Sequence, residues 1–230
     1  MAEAAYKTVS LFVTGTDTGV GKTLVSAALL HALAARHLRV VGMKPVAAGT
    51  VSVDGEEANE DVLALRAAST CRVPPELDNP VLLPDPVSPH IAAARAGARI
   101  DIAHIVACYR QLALLADAVV VEGAGGFHVP LSPTETGADL AMALGLPVVL
   151  VVGLRLGCLN HALLSAEAIR ARGLTLAGWV ANHIDPAMLA QDDNIAFLRK
   201  QLQAPLLATV PWQAAMDARN ITIHLPAGWQ

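Results

Sequence analysis

Aromatic residues make up only 3% of this 230-residue chain, although 54% of it is hydrophobic. With so few rings, the core must be built mainly from Ala, Val and Leu. That favours helices packed on a parallel sheet, whose buried strands read as short β-branched runs. Excess positive charge is also missing: the net charge of −4 gives no case for nucleic acid or an anionic membrane as partner. Cysteine is limited to Cys71, Cys108 and Cys158, far apart and without a Cys-x-x-Cys pair. Such a scattered, odd set argues against a disulfide framework or a zinc site and suggests reduced thiols. No long apolar run is unbroken. The most apolar stretch, 140–156, is interrupted by Gly145-Leu146-Pro147 and Gly153, so it reads as helix, turn and buried strand rather than a membrane span. The first residues lack a basic segment leading into an apolar signal-type stretch. These absences together predict a cytoplasmic protein with no membrane or nucleic-acid partner.

What is present is an alternation. Strand-like runs recur at 9–13, 40–44, 118–121, 148–152, 176–181 and 206–210, with helical patterns at 23–36, 102–115, 160–172 and 188–202. Gly173 suits the end of the third of these helices. Alternation of this kind implies βαβ units, right-handed crossovers and a mostly parallel sheet with helices on both faces. The expectation is a single α/β domain over 1–230, with 1–7 as a flexible N-terminal extension. The stretch 73–89 carries Pro74, Pro75, Pro80, Pro84, Pro86 and Pro89 and has no regular period, so it is expected to be a long, helix-free loop. Loops of that length in a compact domain are often functional.

Ligands in parallel sheets bind beyond the carboxyl ends of the strands, and the chemistry-bearing residues fall there. Gly15-Thr16-Asp17-Thr18-Gly19-Val20-Gly21-Lys22-Thr23 follows the first strand and opens a helix at Leu24. A strand, glycine loop and helix in that order form a phosphate cradle of backbone N–H groups at a helix N-terminus. Lys22 can reach the β- and γ-phosphates and the Thr23 hydroxyl can serve Mg²⁺. The spacing is irregular: Thr16 stands where the usual first Gly belongs. The early lysine of the variant ATPase loop is absent too, because Asp17 and Thr18 fill its place.

Lys44, in Met43-Lys44-Pro45-Val46-Ala47-Ala48-Gly49, sits at the end of the second strand. It is either an ordinary surface lysine or a second cation at a transferring phosphoryl group. Glu122, before Gly123-Ala124-Gly125-Gly126, is either a solvated turn residue or a hard oxygen ligand for Mg²⁺ near phosphates. Asp61 opens a helix and is either a second metal ligand or a favourable first-turn charge. Gly157-Cys158-Leu159-Asn160 begins another helix, whose exposed N–H groups suit an anion or simply mark a capped entry.

The segments 15–23, 44–49 and 122–126, with Ser88-Pro89-His90, Val152-Gly153-Leu154-Arg155-Leu156-Gly157-Cys158-Leu159-Asn160-His161-Ala162 and Leu176-Ala177-Gly178-Trp179-Val180-Ala181-Asn182, resemble the dethiobiotin synthetase family from about Phe12 to Trp212, in the family's order. The irregular loop spacing is that family's own form. The resemblance implies a P-loop fold and ATP-dependent ring closure of 7,8-diaminononanoate with CO₂ or bicarbonate, giving dethiobiotin, ADP and phosphate. It further implies that Lys22 and Lys44 are catalytic and that Thr23, Asp61 and Glu122 hold Mg²⁺. ATP would be bordered by Gly19, Val20, Gly21, Lys22, Thr23, Leu24, Glu122, Gly123, Ala124, Gly125, Asn182, His183, Pro211 and Trp212. The diamine would be bordered by Thr18 and Ala48, with its carboxylate received at Gly157, Cys158, Leu159 and Asn160 of a second copy in a homodimer with shared sites.

There are departures. Ala48 replaces a Ser of well-known members, His183 stands where an acidic residue often follows the Asn, and 213–230 matches poorly. The first rival is a regulatory partitioning-type P-loop ATPase switch, which would carry the early-loop lysine and often an amphipathic membrane-targeting tail. The segment 220–226 is too short and too little charged for such a tail. The second rival, a cobyrinic acid amidating enzyme, would bring a glutaminase region for which the chain has no room.

Overall fold

The computed structural model describes residues 8–53, 55–215 and 217–229; the expected extension at 1–7 lies outside them. The elements run β1 (Val9–Gly15), α1 (Lys22–Ala34), β2 (Val40–Met43), β3 (Val46–Ala48), β4 (Val51–Val53), β5 (Glu56–Ala58) and α2 (Glu60–Ala68). Then follow α3 (Pro75–Asp78), β6 (Val81–Leu83), α4 (Pro89–Arg95), α5 (Ile102–Leu115), β7 (Ala118–Gly126) and α6 (Gly137–Leu144). The last are β8 (Val148–Leu154), α7 (Cys158–Ala171), β9 (Leu176–His183), α8 (Gln191–Gln201) and β10 (Leu206–Val210).

Six strands form one sheet in the order β10-β9-β8-β1-β7-β2, and every pairing in it is parallel. Strands buried on both faces need apolar residues at every position, which explains why β8 reads Val-Val-Leu-Val-Val-Gly-Leu and is buried throughout. One face packs against α1 and α2 through Val25, Leu29, Leu33 and Leu65. The other packs against α5 to α8 through Ile105, Leu112, Leu140, Ile169 and Leu198. The core is aliphatic, as the composition requires; Trp179 and Phe12 are its largest wholly buried rings.

Helix ends follow local chemistry. Asn59 caps α2 by accepting from the N–H groups of Asp61 and Val62. Gly173, at φ 73°, closes α7: its N–H reaches the Arg170 carbonyl and that of Leu174 the Ile169 carbonyl, the paired pattern of a left-handed C-terminal stop. The 213–230 segment, poorly matched in sequence, contributes Ile223 and Trp229 to the α1 face of the core. The His224 N–H also donates to Leu207 of β10 over 2.8 Å.

The helix-free loop expected over 73–89 is corrected. It contains α3 and β6 and ends where α4 begins. Prolines exclude helix interiors but are well placed in the first turn, where an N–H has no partner to lose. Pro75 and Pro89 occupy that position in α3 and α4. β6 pairs in parallel with β3 to make a separate two-stranded sheet beside the ligand rim.

Candidate functional site

The β1–α1 loop owes its shape to its neighbours. The Thr16 N–H donates to the Val151 carbonyl at the end of β8 over 2.9 Å. Gly21 caps α1 at φ 86°, and a Cβ there would lie 2.2 Å from Asn182 Nδ2. Only glycine fits both the left-handed backbone and that contact. Asn182, at the end of β9, donates to the Val20 carbonyl over 2.8 Å and so fixes the loop from the far side. Asp17 accepts from the Thr18 N–H and is ion-paired with Arg155 of the β8–α7 loop, while its carbonyl takes the Lys22 ammonium at 3.0 Å.

Across the cleft, the backbone of Lys44 is pinned between β2 and β3. Its N–H donates to the Asp78 carbonyl over 2.7 Å, and Asn79 Nδ2 donates to its carbonyl over 2.7 Å. Asp78 is in turn gripped by Arg66 in a two-pronged pair. The Lys44 side chain then reaches two carboxylates, with Nζ 2.7 Å from Asp61 Oδ2 and 2.6 Å from Glu122 Oε1. The Thr23 hydroxyl lies 2.6 Å from Asp61 Oδ1 and 3.0 Å from Glu122 Oε1, and its single hydrogen serves one of them at a time. Lys44 is 4% exposed and Glu122 wholly buried.

The charges follow from this packing. Burial pulls the Lys44 ammonium down, but the attraction of Glu122 and Asp61 outweighs it and holds the group above its ordinary value. Lys22 bonds no carboxylate among the described residues; burial, then the nearby Lys44 charge, push it below its ordinary value. Burial raises the Asp61 carboxyl, yet Lys44 beside it leaves the net value lowered. Glu122 Oε2 is buried without a hydrogen-bond partner among the described residues, an arrangement that costs free energy unless something else binds there. Among the described residues no group of three or more His, Cys, Asp or Glu could hold a metal. Two carboxylates with a hydroxyl are nevertheless a hard-oxygen set of the kind Mg²⁺ accepts when phosphates and water complete its shell.

These residues line one cleft of about 600 Å³. It brings together Thr18, Gly19, Gly21, Lys22, Thr23, Lys44, Ala48, Asp61, Glu122, Ala124 and Gly125. Of the other residues singled out in the sequence, Val20 is buried in the core and Leu24 packs beside it on α1. Gly123 lies against Phe12, where a Cβ would meet the ring at 2.9 Å. Asn182 touches the loop from behind. His183 Nδ1 pairs with Gln191 Oε1 at 2.7 Å, Pro211 borders a separate cavity of about 410 Å³, and Trp212 is half exposed. Gly157, Cys158, Leu159 and Asn160 stand at the start of α7 and do not line this cleft.

Sequence reasoning missed Val46, Pro86, Val87 and Val129 as residues that line the cleft. The proline-rich stretch was the only signal. It also missed Asp78 and Asn79, which hold the Lys44 backbone, and Arg66, which grips Asp78; nothing in the spacing announces the contacts of Lys44 with residues 34 and 35 positions on.

Comparison with known proteins fits this geometry. The AAA domain family matches residues 9–220. An ATP-dependent dethiobiotin synthetase of Ralstonia nicotianae is 58% identical over 214 residues, 93% of each chain. Among solved structures, a ParA family ATPase from Chlorobium tepidum TLS superposes with a TM-score of 0.54 at 13% identity, covering 91% of this chain and 86% of that one. The septum site-determining protein MinD from Pyrococcus horikoshii, complexed with Mg-ADP, gives 0.54 at 18% identity over 89% and 81%. At that identity the two structures speak for the fold alone, that of P-loop nucleotide-binding proteins. The sequence relationship, 58% identity over 93% of the chain, is far closer: the chain belongs to the dethiobiotin synthetase family.

Proposed function

We propose that this chain closes the cyclic urea of dethiobiotin from 7,8-diaminononanoate, CO₂ and ATP. The observation that carries the reading is the convergence of Lys22, Lys44, Asp61, Glu122 and the phosphate loop on one cleft, in a chain 58% identical to a dethiobiotin synthetase along 93% of its length.

The chemistry explains why such a cleft is needed. One amine of the diamine adds to CO₂ and loses a proton, forming a carbamate. A carbamate is a poor electrophile, because expelling its oxygen would release oxide or hydroxide. Its oxygen attacks the γ-phosphorus, ADP leaves, and the carbon now carries phosphate as a leaving group. The second amine attacks that carbon, phosphate departs with the carbamate oxygen, and the ring closes. The protein must bring two anions, carbamate and γ-phosphate, into line and offset their repulsion. Lys22 and the N–H groups of Gly19 to Thr23 would receive the β- and γ-phosphates. Lys44, whose ammonium reaches Asp61 and Glu122 beside Thr23, would face the carbamate and the γ-phosphate together. Thr23, Asp61 and Glu122 would hold Mg²⁺, which supplies neutralisation of the polyphosphate charge when bound. Thr18 would border the diamine; Ala48 offers no hydroxyl, leaving backbone or water to make that contact. Asn182, His183, Pro211 and Trp212 would flank the nucleotide base.

The start of α7 lies outside this cleft, so its proposed role requires a second copy: Gly157 to Asn160 would receive the diamine carboxylate in the neighbouring site of a homodimer. Sedimentation of a dimer is the expected result. No helix among the described residues is long and apolar enough to cross a membrane, and with three free thiols we place the protein in the cytoplasm.

Phosphate release from ATP should require both 7,8-diaminononanoate and bicarbonate, with dethiobiotin formed in equal amount. Brisk hydrolysis indifferent to both would instead favour the switch ATPase.

A further inference from the structure

Glu122 is wholly buried, and a carboxylate so placed needs a cation beside it. Lys22 is near enough to feel that charge, but its ammonium is bonded to the Asp17 carbonyl instead. Lys44 supplies the cation, at 2.6 Å from Glu122 and 2.7 Å from Asp61. Thr23 lies on the same two carboxylates. Every oxygen proposed to bind the metal is therefore engaged with Lys44 or with another member of the set, except Glu122 Oε2, which is buried and has no partner among the described residues.

We propose that Lys44 is the resident counter-ion of the metal-free site, and that a divalent cation enters by taking its carboxylate partners and releasing its ammonium into the cleft. This deepens the functional reading and rests on it for the identity of the metal position. Two cations cannot share Glu122 Oε1 and Asp61 Oδ2 at bonding distance without strong repulsion. The backbone of Lys44 is held by Asp78 and Asn79, so the flexible four-carbon stem is the part that moves. The exchange ties the two events together: metal arrival frees the lysine that the reaction needs at the γ-phosphate. Before metal arrives, the same lysine keeps the carboxylates assembled.

The test uses the full chain without nucleotide, titrated with Mn²⁺ alone and followed by electron paramagnetic resonance of the free ion. Lys44→Met should bind Mn²⁺ about tenfold or more tightly than the unsubstituted chain, since a competing charge has left the carboxylates. Lys22→Met removes the same charge from the same cleft without vacating a carboxylate and should gain about threefold or less. Without metal, Lys44→Met should melt at a lower temperature than the unsubstituted chain and recover with saturating Mn²⁺. Equal or weaker Mn²⁺ binding by Lys44→Met, or equal gains in the two variants, would overturn the exchange.

If Lys44→Met does not fold, the unsubstituted chain still decides. Mn²⁺ should speed amine-selective labelling of Lys44 relative to exposed Lys200, read by peptide mass spectrometry. Labelling unchanged while Mn²⁺ binds would refute the idea. No diamine or bicarbonate enters these measurements. A chain with these metal effects but no dethiobiotin formation would contradict the functional reading alone, and the converse would contradict the exchange alone.

Discussion

Replacing Gly21 by Ala tests the contact between the phosphate loop and the end of β9. Gly21 has φ 86°, a left-handed conformation that costs a residue with a Cβ about 1–2 kcal/mol. The new methyl would also lie 2.2 Å from Asn182 Nδ2, too close to coexist, so the carboxamide must leave. Asn182 is 6% exposed, and its departure takes the 2.8 Å bond from the Val20 carbonyl, worth about 1 kcal/mol net. The total loss is about 2–3 kcal/mol, which for a chain of this size lowers Tm by roughly 4–12 °C. Urea unfolding of Gly21→Ala, Asn182→Ala and the double variant would measure it. In the Asn182→Ala background the alanine at 21 should cost only the backbone penalty, about 1–2 kcal/mol. Additive losses, or an unchanged Tm for Gly21→Ala, would refute the claim that Asn182 and Gly21 share one space.

Other outcomes follow from the same geometry. Lys22→Gln should weaken ATP binding itself, whereas Lys44→Gln should abolish dethiobiotin formation while leaving much of the ADP affinity, both measurable by calorimetry and product assay. Asn59→Ala removes the cap of α2 and should cost about 1 kcal/mol of stability, with a larger fractional loss of turnover because Asp61 sits in that first turn. Gly178→Ala would drive a methyl to 2.7 Å from the buried Leu207 side chain and should lower stability by about 1–3 kcal/mol in urea unfolding, without changing KM. Asp139 is held below its ordinary value of 3.8 by the Thr136 hydroxyl, then by the Thr136 N–H and Arg172. With the folded value below the unfolded one, its stabilisation is complete above pH 3.8 and fades as pH falls through the folded value. Asp139→Asn should therefore lower Tm at pH 7 and converge with the unsubstituted chain once pH has fallen through the folded value.

The parallel sheet was legible because its strands are buried on both faces, and continuous runs such as 148–152 have no other comfortable setting. The phosphate loop was legible because glycine positions and Lys22-Thr23 are a local signature. What stayed hidden depends on contacts distant in sequence. The three-residue β3 and β6 have almost no propensity of their own and exist because they pair across 35 residues. Prolines at 75 and 89 broke the periodic pattern while marking helix starts. Lys44 and Glu122 were individually ambiguous, a surface lysine and a turn carboxylate, until folding set them 2.6 Å apart. The departure at Ala48 was visible in sequence, but the Val46, Pro86 and Val87 wall around it was not.

The central claim is that the γ-phosphoryl group passes to a carbamate, and the fate of one oxygen tests it. Bicarbonate labelled with ¹⁸O would be supplied with 7,8-diaminononanoate and ATP, with times kept short against exchange with water. In the mechanism proposed, phosphate leaves with the carbamate oxygen, so inorganic phosphate should carry one ¹⁸O for each dethiobiotin formed. Phosphate whose new oxygen comes only from water would contradict the account.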